Sequence, residues 1–237
     1  MEQYLNKITF ADCMEVLKKL PDKSIELVLT DPPYGRKIIK RGRMGGDGIA
    51  AAKEYGSETW DDESPEQIYF DEIFRVSKNQ IIFGANYFIK KINKNSPCWL
   101  IWDKDNSGDF ADAELAWTSF DTPVRIYRWR WNGMLQQDMK NKEKRIHPTQ
   151  KPVKLFEKII LDYYKRESNG IVADFYGGSG TLAIACHNLG IPFICTEKNE
   201  KYYNDAVKRF YFEKSQIKLF TPATLESVYL QQNLFSV

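Results

Sequence analysis

No run of about 18 apolar residues occurs in the 237-residue chain, so nothing in it suits a membrane-spanning helix, and no membrane partner is expected. Histidine is scarce. Only His147 and His187 are available as imidazole ligands, and neither has a partner at metal-motif spacing, so no structural zinc or metallohydrolase centre is expected. The four cysteines, Cys13, Cys98, Cys186 and Cys195, form no CxxC or paired pattern, and Met1 to Asp12 lacks the basic and apolar regions of a signal peptide. A reducing, cytoplasmic setting is the expectation. With 43% hydrophobic and 28% charged residues the chain is neither disordered nor collagenous, and its length suits one domain with at most a small insertion.

Net charge is also nearly absent, at +2, but the total conceals an asymmetry. Residues 36–43 carry Arg36, Lys37, Lys40, Arg41 and Arg43 with no acid. Residues 125–151 carry eight bases, among them Arg128, Arg130, Lys142, Lys144 and Arg145, against Asp138 and Glu143. The rest of the chain is left nine charges negative. Two basic segments interleaved with Tyr127, Trp129 and Trp131 suggest a polyanion meeting one face, although either segment alone reads as a solvated loop. Trp117, Trp129 and Trp131 themselves are assigned to the core.

The chain alternates strand and helix patterns. Lys7–Phe10 and Ile25–Thr30 are β-prone, with helical spacing between them from Asp12 to Leu20. Residues 35–64 have no sustained period and read as a long functional or mobile loop. A helix is expected from Pro65 to Ser77, strands at Asn79–Phe83 and Pro97–Trp102, and a helix near Tyr87–Ile92. Ala113–Phe120 and Val124–Trp131 are expected to pair antiparallel about Asp121-Thr122-Pro123, with 132–150 a polar loop. Val153 to Arg166 has a one-sided helical stripe, and Thr181–Leu189 and Asn199–Glu213 are helical, with strands at Gly170–Phe175 and Ile191–Thr196. Such alternation implies an α/β fold with a mostly parallel sheet wrapped by helices.

Two stretches carry chemistry. Asp174-Phe175-Tyr176-Gly177-Gly178-Ser179-Gly180-Thr181 puts three glycines between a strand and a helix, where backbone N–H groups can meet a ligand closely. Glu197 ends the next strand, about where a Rossmann-type fold places its ribose acceptor. GxGxxG spacing and a P-loop lysine are both missing, which counts against a dinucleotide or ATP and leaves another nucleoside-bearing cofactor. The second stretch, Asp31-Pro32-Pro33-Tyr34, follows an apolar strand. Its prolines stiffen the backbone and leave carbonyls outward, so a carboxylate, a carbonyl and a ring together suit an aromatic exocyclic amine. Alone, this tetrapeptide could equally be a strand-ending turn.

Together with His147-Pro148-Thr149-Gln150-Lys151-Pro152, these stretches, in this order, resemble the β-class DNA amino-methyltransferases. Ile81-Ile-Phe-Gly-Ala-Asn-Tyr-Phe88, and Trp102-Asp-Lys through Glu114-Leu-Ala-Trp-Thr-Ser-Phe120 to Trp131-Asn-Gly133, resemble its small phage and prophage members. The resemblance implies a Rossmann-like methyltransferase fold with circularly permuted motif order and a small target-recognition insertion. Its parts would be a catalytic half at about 1–102, a target-recognition region at about 103–147, a cofactor half at about 148–214 and a tail at 215–237. It implies S-adenosyl-L-methionine as cofactor and double-stranded DNA as partner, and it admits a homodimer and a cognate restriction endonuclease.

By the same resemblance, Asp31 and the Pro32 carbonyl accept from the amine of a flipped base, with Pro33 in the rigid turn and Tyr34 stacking on the base. Gly178 and Gly180 admit the methionine part of the cofactor, with Asp174, Phe175, Ser179, Thr181 and Lys198 around it. Glu197 takes its ribose, Asp12 and Cys13 meet its adenine, and Thr149, Gln150 and Lys151 lie by its carboxylate. Phe175 stands where the family usually has proline. The implied reaction is direct in-line transfer of a methyl group to the N6 amine of adenine. Methylation of cytosine N4 is the alternative, and a non-catalytic nucleoside- and DNA-binding protein a more distant one.

Overall fold

The computed structural model describes residues 1–36, 63–106, 111–132 and 135–216. Lys37, Lys40, Arg41 and Arg43, most of the expected 35–64 loop and nearly all of the 215–237 tail lie outside them.

Among the described residues, ten strands and six α-helices follow in the order β1 (Ile8–Phe10), α1 (Cys13–Leu17), β2 (Ile25–Thr30), α2 (Gln67–Val76), β3 (Ser77–Phe83), α3 (Ile89–Ile92), β4 (Trp99–Asp103), β5 (Ala113–Thr118), β6 (Arg125–Arg128), β7 (Trp131–Asn132), β8 (Leu135–Gln136), α4 (Val153–Tyr163), β9 (Val172–Asp174), α5 (Thr181–Leu189), β10 (Phe193–Glu197) and α6 (Glu200–Ser215). Eight strands form one sheet in the order β1-β10-β9-β2-β3-β5-β4-β6, and β7 and β8 form a small ribbon. Within the eight-stranded sheet the pairs are parallel except those of β5, which runs against both β3 and β4, and the β7–β8 ribbon is antiparallel. The expected mostly parallel sheet is therefore present.

The centre of the sheet is buried on both faces where its strands are apolar, as in Leu27–Leu29 of β2 and Ile81–Phe83 of β3. β2 is buried at all six positions. Its alternation sends Leu27 and Leu29 to one core with α4 and α5 residues such as Phe156, Ile160 and Leu182, and Val28 to the other core with Val16, Leu17, Phe70 and Ile73 of α1 and α2. Trp117 and Trp131 are buried and Trp129 packs against the first core, as assigned.

One expected pairing is wrong. Ala113–Phe120 and Val124–Trp131 do not form a hairpin, because β4 lies between β5 and β6 and pairs with both. Leu100 and Trp102 of β4 are buried, whereas Ile126 of β6 is 66% exposed, so the more apolar strand takes the inner place and β6 the edge. The 132–150 region, expected as loop, contains β8.

Candidate active site

Parallel strands aim their carboxyl ends at one edge of the sheet, where open α/β folds bind ligands. Three neighbouring strands here each deliver an acid to that edge: Asp31 just after β2, Asp174 at the end of β9 and Glu197 at the end of β10. They line a cavity of about 900 Å³, together with Cys13, Pro33, Gly178, Lys198 and the 147–151 loop.

The glycine loop closes one side. A Cβ at Gly177 would fall 2.5 Å from Cys195 Sγ, so only glycine fits there. Gly178 and Gly180 have φ of +50° and +72°, and no atom lies closer than 3.8 Å to a Cβ built on Gly178, leaving its backbone open to the cavity. Glu197 braces the loop: one oxygen accepts from the Gly178 N–H at 2.8 Å and the other from the Asn199 N–H at 2.8 Å. Burial pushes its carboxyl up, opposed by these N–H groups. Asp174 accepts from the Thr30 hydroxyl and the Tyr176 N–H, and burial pushes its carboxyl up to about 7. Phe175 is buried, and its carbonyl accepts from the Thr196 hydroxyl, so the turn closes without proline. Asp12 caps α1 by accepting from the Met14 N–H at 2.8 Å, and it is Cys13, beside it, that lines the cavity.

Asp31 is the centre of a buried charge cluster. Its Oδ1 accepts from the Tyr34 hydroxyl at 2.6 Å and its Oδ2 from the Lys151 ammonium. Lys151, only 4% exposed, also pairs with Glu114 at 3.0 Å, and Glu114 pairs with Lys104 at 2.5 Å. Burial pushes the Asp31 carboxyl up, with Lys151 pulling it down and Glu114 pushing it further up. Burial would raise Glu114 too, but Lys151 and Lys104 outweigh it and hold that carboxyl at about 2. Tyr34 is stacked on Tyr87 at 5.0 Å, and a Cβ on Gly84 would strike its ring at 1.9 Å, so Gly84 makes the room that Tyr34 occupies.

Sequence reasoning placed Lys151 by a cofactor carboxylate. Lys151 lines the cavity, and its ammonium pairs with Asp31 and Glu114, the two acids nearest to it. Glu114 and Lys104 received no role from the sequence. An acid inside an apolar strand, Ala113-Glu114-Leu115-Ala116, was the available signal. It becomes meaningful only once β5 is known to run backwards, which brings the start of that strand to the carboxyl edge of its neighbours.

The 147–152 loop is braced from within. His147 Nδ1 accepts from the Thr149 N–H, and burial, with Lys151 and Lys201, keeps the imidazole neutral by holding it down at about 3. Gln150 spends its side chain inside the loop, accepting from the Ile146 N–H and donating to the Lys144 carbonyl. The Thr181 hydroxyl donates to the Lys151 carbonyl, tying this loop to the start of α5, and contacts the Ser179 hydroxyl.

Of the proposed DNA contacts among the described residues, Arg36, Lys142 and Lys144 are exposed. Arg36 donates to the Tyr87 hydroxyl at 2.9 Å. Arg128 and Arg130 are paired with Asp103 and Asp105 at the end of β4; exposed pairs of this kind are weak and exchange readily. Arg145 lies over the Trp131 ring at 4.7 Å, which places it in packing rather than on an open face.

The sequence matches the model of a family described as DNA methylase over residues 85–208, just over half of the chain. Among curated proteins it is similar to the type II methyltransferase M.HinfI of Haemophilus influenzae, at 28% identity, covering 88% of this chain and 69% of that one. Among solved structures it is similar to the M1.HpyAVI–SAM complex, with a TM-score of 0.53 at 23% identity over 86% of this chain and 98% of that one. It is also similar to PvuII DNA methyltransferase, a cytosine-N4-specific enzyme, with a TM-score of 0.56 at 15% identity over 95% and 91%. These likenesses agree on a Rossmann-like methyltransferase fold.

Proposed function

Since the chain belongs to the DNA methylase family that modifies exocyclic amines, we propose that it transfers a methyl group from S-adenosylmethionine to the N6 amine of adenine in duplex DNA. The observation that carries this reading is that Asp31-Pro32-Pro33-Tyr34 and the glycine loop with Glu197, far apart in sequence, line or adjoin one cavity. The donor set fits the cofactor. Glu197 accepts backbone N–H groups of Gly178, Lys198 and Asn199 and keeps acceptor capacity for a ribose hydroxyl. Open backbone at Gly178 suits the amino-acid part, and Cys13, which lines the cavity, would meet the adenine edge. When bound, S-adenosylmethionine supplies an electrophilic methyl on a sulfonium.

The residues of the chain then have to present the amine. An adenine N6 lone pair is delocalised into its ring, and acceptors at Asp31 and the Pro32 carbonyl draw the nitrogen toward tetrahedral geometry. The remaining acceleration comes from holding nitrogen and methyl in line, a matter of positioning and preorganised dipoles. Because the amine is paired in a duplex, the base must leave the stack, at a cost of a few kcal/mol that stacking in the pocket offsets. Tyr34 is the ring assigned to that stacking, and it would exchange Tyr87 for the base. Asp31, rather than the serine usual for cytosine, supports adenine as the target in the resembled family. The exposed Arg36, Lys142 and Lys144 would meet phosphates, and the sequence assigns the same partner to Lys37, Lys40, Arg41 and Arg43.

Tritium from labelled S-adenosylmethionine is expected to appear in duplex DNA on incubation with the protein; no transfer to any DNA would defeat the reading. Glu197→Ala is expected to weaken S-adenosylmethionine binding by roughly 1.5–3 kcal/mol, the scale of a lost charge-assisted hydrogen bond. Calorimetry checks it, and unchanged affinity would remove Glu197 from the cofactor site.

A further inference from the structure

Tyr34 and Lys151 approach Asp31 from different sides. Lys151 and Asp31 both line the cavity, whereas Tyr34, packed on Gly84 and Tyr87, and Glu114 do not. With Oδ1 engaged by the Tyr34 hydroxyl, a donor entering the cavity toward Asp31 competes for Oδ2, which the Lys151 ammonium holds. An ammonium and an exocyclic amine are both N–H donors competing for that oxygen.

We propose that Lys151 is a positioning residue that stands in for the target amine, its ammonium holding Asp31 Oδ2 until the base arrives, and that Glu114 keeps the ammonium when the amine displaces it. The proposal rests on the reading of Asp31 as the acceptor for that amine. A buried ammonium pushed off its only partner would be left uncompensated, which is strongly unfavourable. Lys151 avoids this because Glu114 already holds it at 3.0 Å, away from the cavity. Glu114 is in turn fixed by Lys104 at 2.5 Å, so two cations and two carboxylates balance. Displacement then gives up one of two charge-assisted bonds instead of both. The neutral imidazole of His147 adds no charge to the exchange.

The groups facing Asp31 are Lys151 from the 147–152 loop, Glu114 from β5, Tyr34 from its own turn and Asp174 from β9. Asp31 accepts from the amine most strongly when ionised, so activity is expected to fall as pH drops through its pKa. Lys151 favours the ionised form and Glu114 opposes it, so the two act on that limb in opposite senses.

The test compares wild type, Lys151→Met, Glu114→Gln and Asp31→Asn in kcat and KM for DNA against pH, with cofactor affinity by calorimetry and folding by thermal denaturation. Lys151→Met is expected to move the acid limb up by about one pH unit or more, since an opposite charge at this range is removed. Glu114→Gln is expected to move it down. It should also raise KM for DNA about tenfold, because the ammonium has lost its second carboxylate and grips Asp31 harder. Cofactor affinity should stay within a few fold in both. Wild-type protein labelled with ¹⁵N-lysine gives a reading that does not depend on those variants folding well. The Lys151 ammonium resonance, identified by its loss in Lys151→Arg, should shift when substrate DNA and S-adenosylhomocysteine are added together. An unshifted resonance, or limbs that move the same way or not at all while Asp31→Asn is inactive, would overturn the stand-in and leave the role of Asp31 intact. An active Asp31→Asn would overturn the underlying reading and the proposal with it.

Discussion

Asparagine in place of Asp31 is expected to lower kcat for methyl transfer by at least about a hundredfold, the scale seen when one preorganised polar group is removed from a reacting centre. Affinity for S-adenosylmethionine should stay within a few fold of wild type. The two outcomes separate because Asp31 is assigned to the base and Glu197 with the glycine loop to the cofactor. Asparagine keeps the shape of the side chain but offers one acceptor oxygen and an NH₂ group that faces other donors. Lys151 retains Glu114 as a partner in the variant, so its charge is not stranded. Calorimetry and single-turnover transfer, run on the same preparation, decide the matter. A folded variant that has lost cofactor binding would move Asp31 to the wrong half of the site.

The largest effect on stability is expected at Arg209. From α6 it reaches Glu143 at 2.6 Å, donates to the Ser179 carbonyl at 3.0 Å and to the Thr181 hydroxyl at 3.2 Å. The other oxygen of Glu143 accepts from the Val153 N–H at the start of α4. One ion pair thus ties α6, the end of the glycine loop and the entrance of α4. Burial lowers the Arg209 pKa from its usual value and raises that of Glu143, while each partner favours the charged form of the other. Arg209→Leu leaves the largely buried Glu143 without its cation and is expected to cost about 3 kcal/mol in urea unfolding. Adding Glu143→Leu should recover part of this, because no lone charge then remains. A loss below about 1 kcal/mol would mean that the pair is screened by solvent like a surface contact.

What the sequence revealed of the fold depended on how local the determining interaction was. Thr181–Leu189 is legible to the residue because Gly180 and Gly190, both at positive φ, bracket a segment that is apolar from Leu182 to Cys186. The interior of β2 and the end of β10 are legible for a similar reason: apolar runs stop at a chemical signal, Asp31 or Glu197. The pairing of β5 was not, since the insertion of β4 beside it is a choice among distant strands that no turn residue announces. The site followed the same division. Motifs contiguous in sequence, such as Asp31 to Tyr34 and the glycine loop, were found, and the sheet brings them together. Glu114 and Lys104 were missed because their partner Lys151 lies on another loop and their alignment depends on the reversed strand. Tyr34 was expected to face a base, and it rests on Tyr87, so its stacking role requires it to change partners.

The identity of the methylated nucleoside tests the central claim most directly. DNA treated with the protein and S-adenosylmethionine is digested to nucleosides, which are separated and weighed by mass spectrometry. The account predicts N6-methyladenine, formed by wild type and absent from the product of Asp31→Asn. N4-methylcytosine as the sole product would contradict the target base, and the absence of any methylated nucleoside would contradict the assignment of this cavity to methyl transfer.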